Sequence, residues 1–367
     1  MTSLSNRRVL LLGAVGFAVV IALRKAFFLS LGEVPDLQRW REFVSALERG
    51  ESLYGPSVRY IYTPVWAEFL WLLRLVTKPL GLGLSQAVSL VVLLAYLATA
   101  ALLFQIIRQR RKSVPLALLV ALLFFANPVS VLVSSSLGMF DNIAILFLLL
   151  AISFSDKRPV PKAAVVAALT ASLLIKHVAW FHPLLLVRRV REPRVGLFGS
   201  FLPYALFFAS FLPFWRDRAL IRARVFGYNS LDEPYGMEFL RFVKGMPPWA
   251  PTALLLVAAL TAAFALRRIE FGRGCLLLFL VVLIFSPGIV QYYFVWPIAL
   301  GALYPSAGYA VYTAMVGAFL IHSPDALAQE IPHLPGWNGP WWALVFWLLW
   351  EIRLQSKVQA RESGIRT

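Results

Sequence analysis

Long apolar runs separated by short basic or polar interruptions fill the chain from Arg8-Val9-Leu10 to Trp341-Trp342-Ala343. A helix that crosses a bilayer needs about 20 apolar residues, and by that rule the runs predict about ten to twelve crossings. The pattern therefore predicts an all-α, polytopic integral membrane protein forming one domain over residues 1–367. Two polar islands interrupt it, a first outer loop over 32–78 and a second over 215–249. Between Asp36 and Gly50, Trp40, Phe43, Val44 and Leu47 recur at helical spacing with Gln38, Arg41, Glu42, Glu48 and Arg49 opposite, which predicts a short interfacial helix. The apolar stretch from Pro64 to Val76 is too short to cross, carries Glu68 and Arg74, and opens with Thr63 as an N-cap and Pro64 at the first helical position. It is expected along the outer interface or dipping into it. The stretch from Lys162 to Val187 starts and ends at basic clusters, so it must turn back as a broken or re-entrant pair.

Composition agrees with a bilayer setting, with 60% hydrophobic and 14% charged residues and a mean hydropathy of +0.74. The net charge of +17 does not signal nucleic acid, because the basic residues form short clusters between apolar runs and not one continuous face. They act as topology signals. Positive-inside bias places Arg7-Arg8, 108–112, 156–158, 188–191, Arg267-Arg268 and the tail from Lys357 in the cytoplasm. Both polar islands then face outward, together with 134–141, 286–288 and 322–340. Cys275 is the only cysteine, so no disulfide is available, and the four histidines match no standard ligand spacing, so no metal site is expected. Arg7-Arg8 and the apolar segment after them lack a small-residue cleavage pattern and are expected to form a retained signal-anchor helix.

Several polar residues at the outer ends of these runs can carry chemistry. Asp36 follows Pro35 at the start of the interfacial helix, where capping alone explains it, and a general base kept ionised by helix-terminal amides is compatible with that position. Asp141 stands at the mouth of an apolar helix, where a charge is costly and faces a cavity or a partner, although an N-cap explains it as well. Lys176, His177 and His182 interrupt an apolar run at the outer turn, and an intramembrane lysine is a functional candidate. Arg216, Arg218, Arg222 and Arg224 run against the positive-inside bias. They fit an amphipathic segment on lipid headgroups or a phosphate-binding lip. Gln291 and Tyr292 open a late helix where the Gln291 amide is suited to a sugar hydroxyl. No phosphate loop, Ser-His-Asp signal or soluble nucleotide-binding domain is present in the sequence.

Taken in order, these residues resemble the GT-C class of polyprenyl-phosphate-sugar-dependent membrane glycosyltransferases, in particular the mannosyltransferases that add the first mannose to glycosylphosphatidylinositol precursors and their prokaryotic relatives. Asp36 with Gly50 and Tyr54 looks like the first-loop acidic motif, and Tyr60-Ile61-Tyr62-Thr63-Pro64 is similar to the tyrosine-threonine-proline element after it. Asn127-Pro128, Ser134-Ser135 and Asp141 resemble the segment with a second outer acid, Lys176 and Pro183 the lysine-containing turn, and Gln291-Tyr292 with Trp296 a late glutamine-tyrosine element. The match over 198–287 is loose. The family motif carries two acids one residue apart, and Val34 stands where the earlier would be, which argues for a single base over a metal-binding pair.

The resemblance implies transfer of one sugar, mannose by analogy, from a polyprenyl or dolichyl phosphate to a lipid-linked or glycan acceptor with inversion and without a cofactor. Asp36 would be the base. Tyr62, Asp141, Lys176, His177, Gln291 and Tyr292 would bind substrate, and Lys176 with Arg216, Arg218 and Arg222 would face the donor phosphate. The expected setting is a bacterial or archaeal plasma membrane, or the endoplasmic reticulum, with the site on the extracytoplasmic face. The expected partners are membrane lipids and a small membrane subunit. A transporter or flippase for a polar lipid or lipid-linked saccharide is the rival reading, although no inverted repeat is visible. A non-catalytic membrane subunit is the third.

Overall fold

The structure, a computed structural model, describes residues 6–30, 35–56, 58, 60–136, 139–157, 159–187, 193–227, 247, 249–286, 291–322 and 339–362; within these, the side chains of 6–9, 25–30, 35–36, 135–136, 193–195, 291 and 358–362 lie outside the description. Fifteen α-helices and no strand occur among the described residues, so the protein is an all-α polytopic membrane protein. In chain order they are α1 (Asn6–Ser30), α2 (Pro35–Glu48), α3 (Pro64–Thr77), α4 (Leu84–Arg111), α5 (Val114–Phe125), α6 (Pro128–Ser136), α7 (Asp141–Ser155) and α8 (Lys162–Ile175). The remainder are α9 (Pro193–Ala209), α10 (Arg218–Ile221), α11 (Ala250–Leu266), α12 (Phe271–Phe285), α13 (Ile298–Leu303), α14 (Ala307–His322) and α15 (Gly339–Glu362).

Among the described residues one helix, α4, is by itself long and apolar enough to cross a membrane, and the number rises to three if each of two bent pairs is one span. These pairs join Val114–Phe125 to Pro128–Ser134 at 44° and Gly196–Ala209 to Leu212–Phe226 at 60°. Most of the other apolar runs are helices of 10–17 residues. The break between α5 and α6 is held by polar groups. Asn127 donates to the Tyr309 hydroxyl (2.9 Å) and to Thr313 Oγ1 (3.1 Å), while its Oδ1 accepts from the Val129 amide at the start of α6. Buried Arg24 of α1 donates to the Phe125 carbonyl (3.0 Å) at the end of α5, where the last carbonyls of a helix have no partner of their own.

α2 is the amphipathic helix expected, with Leu37, Trp40, Phe43 and Val44 buried and Gln38, Arg41 and Glu42 facing outward. It ends at a left-handed Gly50 (φ +70°), which lets Glu51 donate back to the Ala46 carbonyl. α3 starts with Pro64 at its first turn and packs against α2, α4 and α8, with Trp66, Ala67 and Leu70 buried and Leu72, Leu75 and Val76 exposed. Thr63 makes no cap bond; its hydroxyl donates to the Leu174 carbonyl of α8 instead. α8 stops at Lys176, which is extended (φ −156°, ψ 138°), and two 3-10 turns, His177–Ala179 and His182–Leu186, continue the chain. His182 meets the Cys275 carbonyl within α12 (3.2 Å), and Leu185 lies against Gly274 near the start of that helix. The broken turn-back expected over 162–187 is therefore present.

Two polar clusters mark opposite ends of α7. At its C-terminal end Arg110 of α4 bridges Asp156 (2.7 Å) and Glu270 (2.8 Å), and the Tyr304 hydroxyl donates to Glu270 (2.6 Å). Beside it, Arg273 of α12 pairs with buried Glu351 of α15 (3.0 Å), which also accepts from the Trp347 indole (3.3 Å). At the N-terminal end of α7 lie Asp141 and its partners.

Candidate functional site

The site is assembled where four segments meet. α7 begins at Asp141, α8 ends before Lys176, the 3-10 turn Gln291–Val295 precedes α13, and the loop before α3 brings Tyr62 to them. The loop is held from within. The Tyr54 hydroxyl donates to the Tyr62 carbonyl (2.7 Å) and the Tyr60 hydroxyl to the Thr63 carbonyl (2.7 Å). Burial pushes both phenols up from their ordinary range, with the negative charge of Glu68 adding to the shift at each, so both remain protonated donors. From outside, Arg224 donates to the carbonyls of Gly55 (2.9 Å) and Val58, and Asp217 accepts from Ser52.

Lys176 Nζ meets Asp141 Oδ2 at 2.6 Å, and the two side chains are 3% and 0% exposed. The other carboxylate oxygen accepts from the Trp296 indole N–H, also at 2.6 Å. The ammonium lies over the rings of Tyr292 (4.6 Å), Phe140 (4.9 Å) and Tyr62 (5.6 Å). One of its three protons goes to Asp141, and aromatic faces surround the rest of the cation. Phe140 in turn stacks on Trp66 (3.9 Å, 5° between planes), and Trp40 touches both edge-on. A polar thread continues from the site, since Asn142 donates to Ser134 (3.3 Å), which is hydrogen-bonded to Tyr96, and Arg24 lies 4.3 Å over the Tyr96 ring.

The sequence-derived candidates fall into three groups. Asp141, Lys176, Tyr62 and Tyr292 come together, with His177 half-buried as the next residue after Lys176. The capping role considered for Asp141 gives way, because α7 starts at Asp141 itself and both carboxylate oxygens are engaged by Lys176 and Trp296. Asp36 and Gln291 are placed by their backbones in the first turns of α2 and of the 3-10 turn, and their side chains lie outside the described residues. Trp40, four residues after Asp36 in the same helix, meets Phe140 edge-on beside Asp141. Arg216, Arg218 and Arg222 are exposed on the segment 212–226, whereas Arg224 is a loop clamp and not part of an open lip. His182 is buried on Phe279 (4.3 Å) and His322 bonds the Ala318 carbonyl within α14. His333 lies outside the described residues, and no group of three metal-ligating side chains occurs among those described.

Trp296 and Phe140 were not among the candidates. An aromatic near a membrane interface reads as an anchoring residue. The available signal was the indole N–H of Trp296, which needs an acceptor once buried.

The fold and the site define a polytopic membrane protein with a buried ionic pair enclosed by aromatic side chains. The family model described as GPI transamidase subunit PIG-U matches residues 21–230, more than half of the chain, and the protein belongs to that family. The matched region contains α2, Tyr62, Asp141 and Lys176 and ends before Gln291 and Trp296. No curated protein and no solved structure matches the chain.

Proposed function

We propose that the protein is a membrane glycosyltransferase that moves one sugar, mannose by resemblance, from a polyprenyl or dolichyl phosphate to a lipid-linked or glycan acceptor on the extracytoplasmic side. The observation that carries this reading is the buried Asp141–Lys176 pair with Trp296, ringed by Tyr62, Phe140 and Tyr292. α7 has 15 residues and is about 22 Å long, against about 30 Å for the hydrocarbon core. With the Arg110 cluster at the basic, cytoplasmic side, the Asp141 end stops several ångströms short of the far headgroups. A substrate that is itself embedded in the bilayer reaches such a site, and a lipid phosphate supplies the anion that suits Lys176.

In this reading the acceptor hydroxyl oxygen attacks the anomeric carbon, the bond from that carbon to the phosphate oxygen breaks, and the acceptor proton passes to Asp36. The phosphate leaves on its lipid and needs no proton. Lys176 stabilises its charge, Asp141 and Trp296 fix the ammonium, and Tyr62, Tyr292, His177 and Gln291 orient sugar and acceptor. Arg216, Arg218 and Arg222 meet headgroups or the donor phosphate at the rim.

Purified protein in detergent, given radiolabelled polyprenyl-phosphate mannose and a glycolipid acceptor, tests the proposal. The wild type should form a glycosidic bond, and Asp36→Asn should abolish transfer while the protein stays folded. Near-normal turnover by Asp36→Asn would remove Asp36 from the role of base. The family match favours a second reading, a subunit of a membrane complex that binds a glycolipid without transferring sugar. It predicts no product from the purified chain and donor-independent co-purification with other subunits. Movement of a labelled lipid across vesicles without a new bond would mark a flippase.

A further inference from the structure

Away from the Asp141 site, a groove of about 1660 Å³ runs between α8 and α9. That exceeds the range of about 300–1,000 Å³ usual for small-molecule pockets. Its walls are Ala163, Val166, Ala167, Thr170, Ala171 and Leu174 on α8 and Gly199, Leu202 and Leu206 on α9. The α8 residues recur every three or four positions, so one face of the helix is given over to the groove, while Ser172 and Lys176 point from another face to Ala144 and Asp141 on α7. The groove is open on its apolar side, where Phe198 (66% exposed) and Leu206 (43%) line it.

The mouth lies at the basic end of the bundle and is lined by Arg110, Asp156, Lys162 and Glu270. Arg110 is already clasped by Asp156 and Glu270. Lys162 is exposed, and no acid pairs with it among the described residues. Lys157, Arg267 and Arg268 flank Asp156 and Glu270 in the chain, so further cations stand near a mouth whose own charged lining, Arg110 and Lys162 with Asp156 and Glu270, is balanced. From Ala163 to Leu174 the groove extends about 17 Å along α8, close to the depth of about 15 Å of one bilayer leaflet.

We propose that this groove is a binding site for an anionic glycerophospholipid of the leaflet at the basic end, with its phosphate on Lys162 and its acyl chains along Ala163 to Leu174. The exposed Lys162, which neither Asp156 nor Glu270 engages, selects an anionic headgroup, and the match of groove length to one leaflet selects a bilayer lipid over a chain that spans the whole membrane. The occupied groove fastens α8, the helix that delivers Lys176, against α9. The proposal does not depend on the chemistry at Asp141.

Native mass spectrometry of the full-length protein, titrated in detergent with dioleoyl-phosphatidylglycerol or dioleoyl-phosphatidylcholine, tests it. The wild type should retain phosphatidylglycerol at least tenfold more tightly. Lys162→Glu should lose that preference while still retaining either lipid weakly. Ala167→Trp, a substitution at an exposed groove position, should lose both while its melting temperature without lipid stays near the wild-type value. Equal retention of the two lipids by the wild type, an unchanged preference in Lys162→Glu, or tighter retention of a polyprenyl phosphate that Ala167→Trp abolishes would each overturn the proposal. So would occupation of the groove by a second protein chain.

Discussion

Replacing Lys176 by methionine keeps the length and apolar packing of the side chain but removes the cation from Asp141. The pair is 3% and 0% exposed, so water does not take over the lost contact. Trp296 remains as a donor to one carboxylate oxygen, and the other is left without its charged partner. Truncating one member of a buried ion pair costs about 3–5 kcal/mol. An ordinary hydrogen bond between helices in a membrane averages about 0.6 kcal/mol, so the charge effect dominates. Asp141→Asn strands the ammonium instead and should fall in the same range. The double variant Lys176→Met/Asp141→Asn removes both charges and keeps an acceptor for the indole. It should return close to wild-type stability, so that the two single losses, together about 6–10 kcal/mol, are almost wholly non-additive. Reversible unfolding by sodium dodecyl sulfate in mixed micelles measures all four proteins. Additive losses in the double variant would refute the claim that the pair is buried and mutually dependent.

Trp296→Phe keeps the ring but removes the N–H from Asp141, and should cost about 1.5–3 kcal/mol in the same unfolding assay, as expected for a hydrogen bond to a charged group. Arg224→Ala removes the donor to Gly55 and Val58 and should open the loop of residues 52–62, read as faster limited proteolysis there with little change in global unfolding. Joint replacement of the exposed Arg216, Arg218 and Arg222 by glutamine should leave unfolding unchanged and raise the KM for a lipid-phosphate donor a few-fold, because exposed charges add little to stability. An altered unfolding midpoint would show that these arginines hold the fold together.

Features written in one segment were legible in the sequence. The periodicity of 36–50 gives α2 its buried face, Pro64 marks the start of α3, and charges at Asp141 and Lys176 stand out against apolar neighbours because hydrocarbon penalises them. Pairings across the bundle were not. Asp141 and Lys176 are 35 positions apart and Asp141 and Trp296 are 155 apart, and helical periodicity reports the face a residue occupies, not the neighbour it meets. Thr63 shows the same limit, since its position before Pro64 suits a cap while packing against α8 offers the Leu174 carbonyl instead. Arg224 carries the same charge as Arg216, Arg218 and Arg222, and only the folded loop of carbonyls distinguishes it.

A buried ion pair is a poor device for stability, because well-packed apolar residues of the same volume do as well or better. Asp141 and Lys176 could therefore be exchanged for neutral groups at small cost to the fold, and their presence points to work that needs the charge. The double variant separates the two. If the pair serves transfer, Lys176→Met/Asp141→Asn should be as stable as the wild type and yet lose most turnover, since the departing phosphate no longer meets an ammonium. If the chain is instead a glycolipid-binding subunit, the same variant should weaken binding of a lipid phosphate and leave assembly with other subunits intact. A stable double variant with unchanged lipid-phosphate binding and unchanged transfer would show that the charges serve neither, and the site would have to be sought in the first turn of α2 around Asp36.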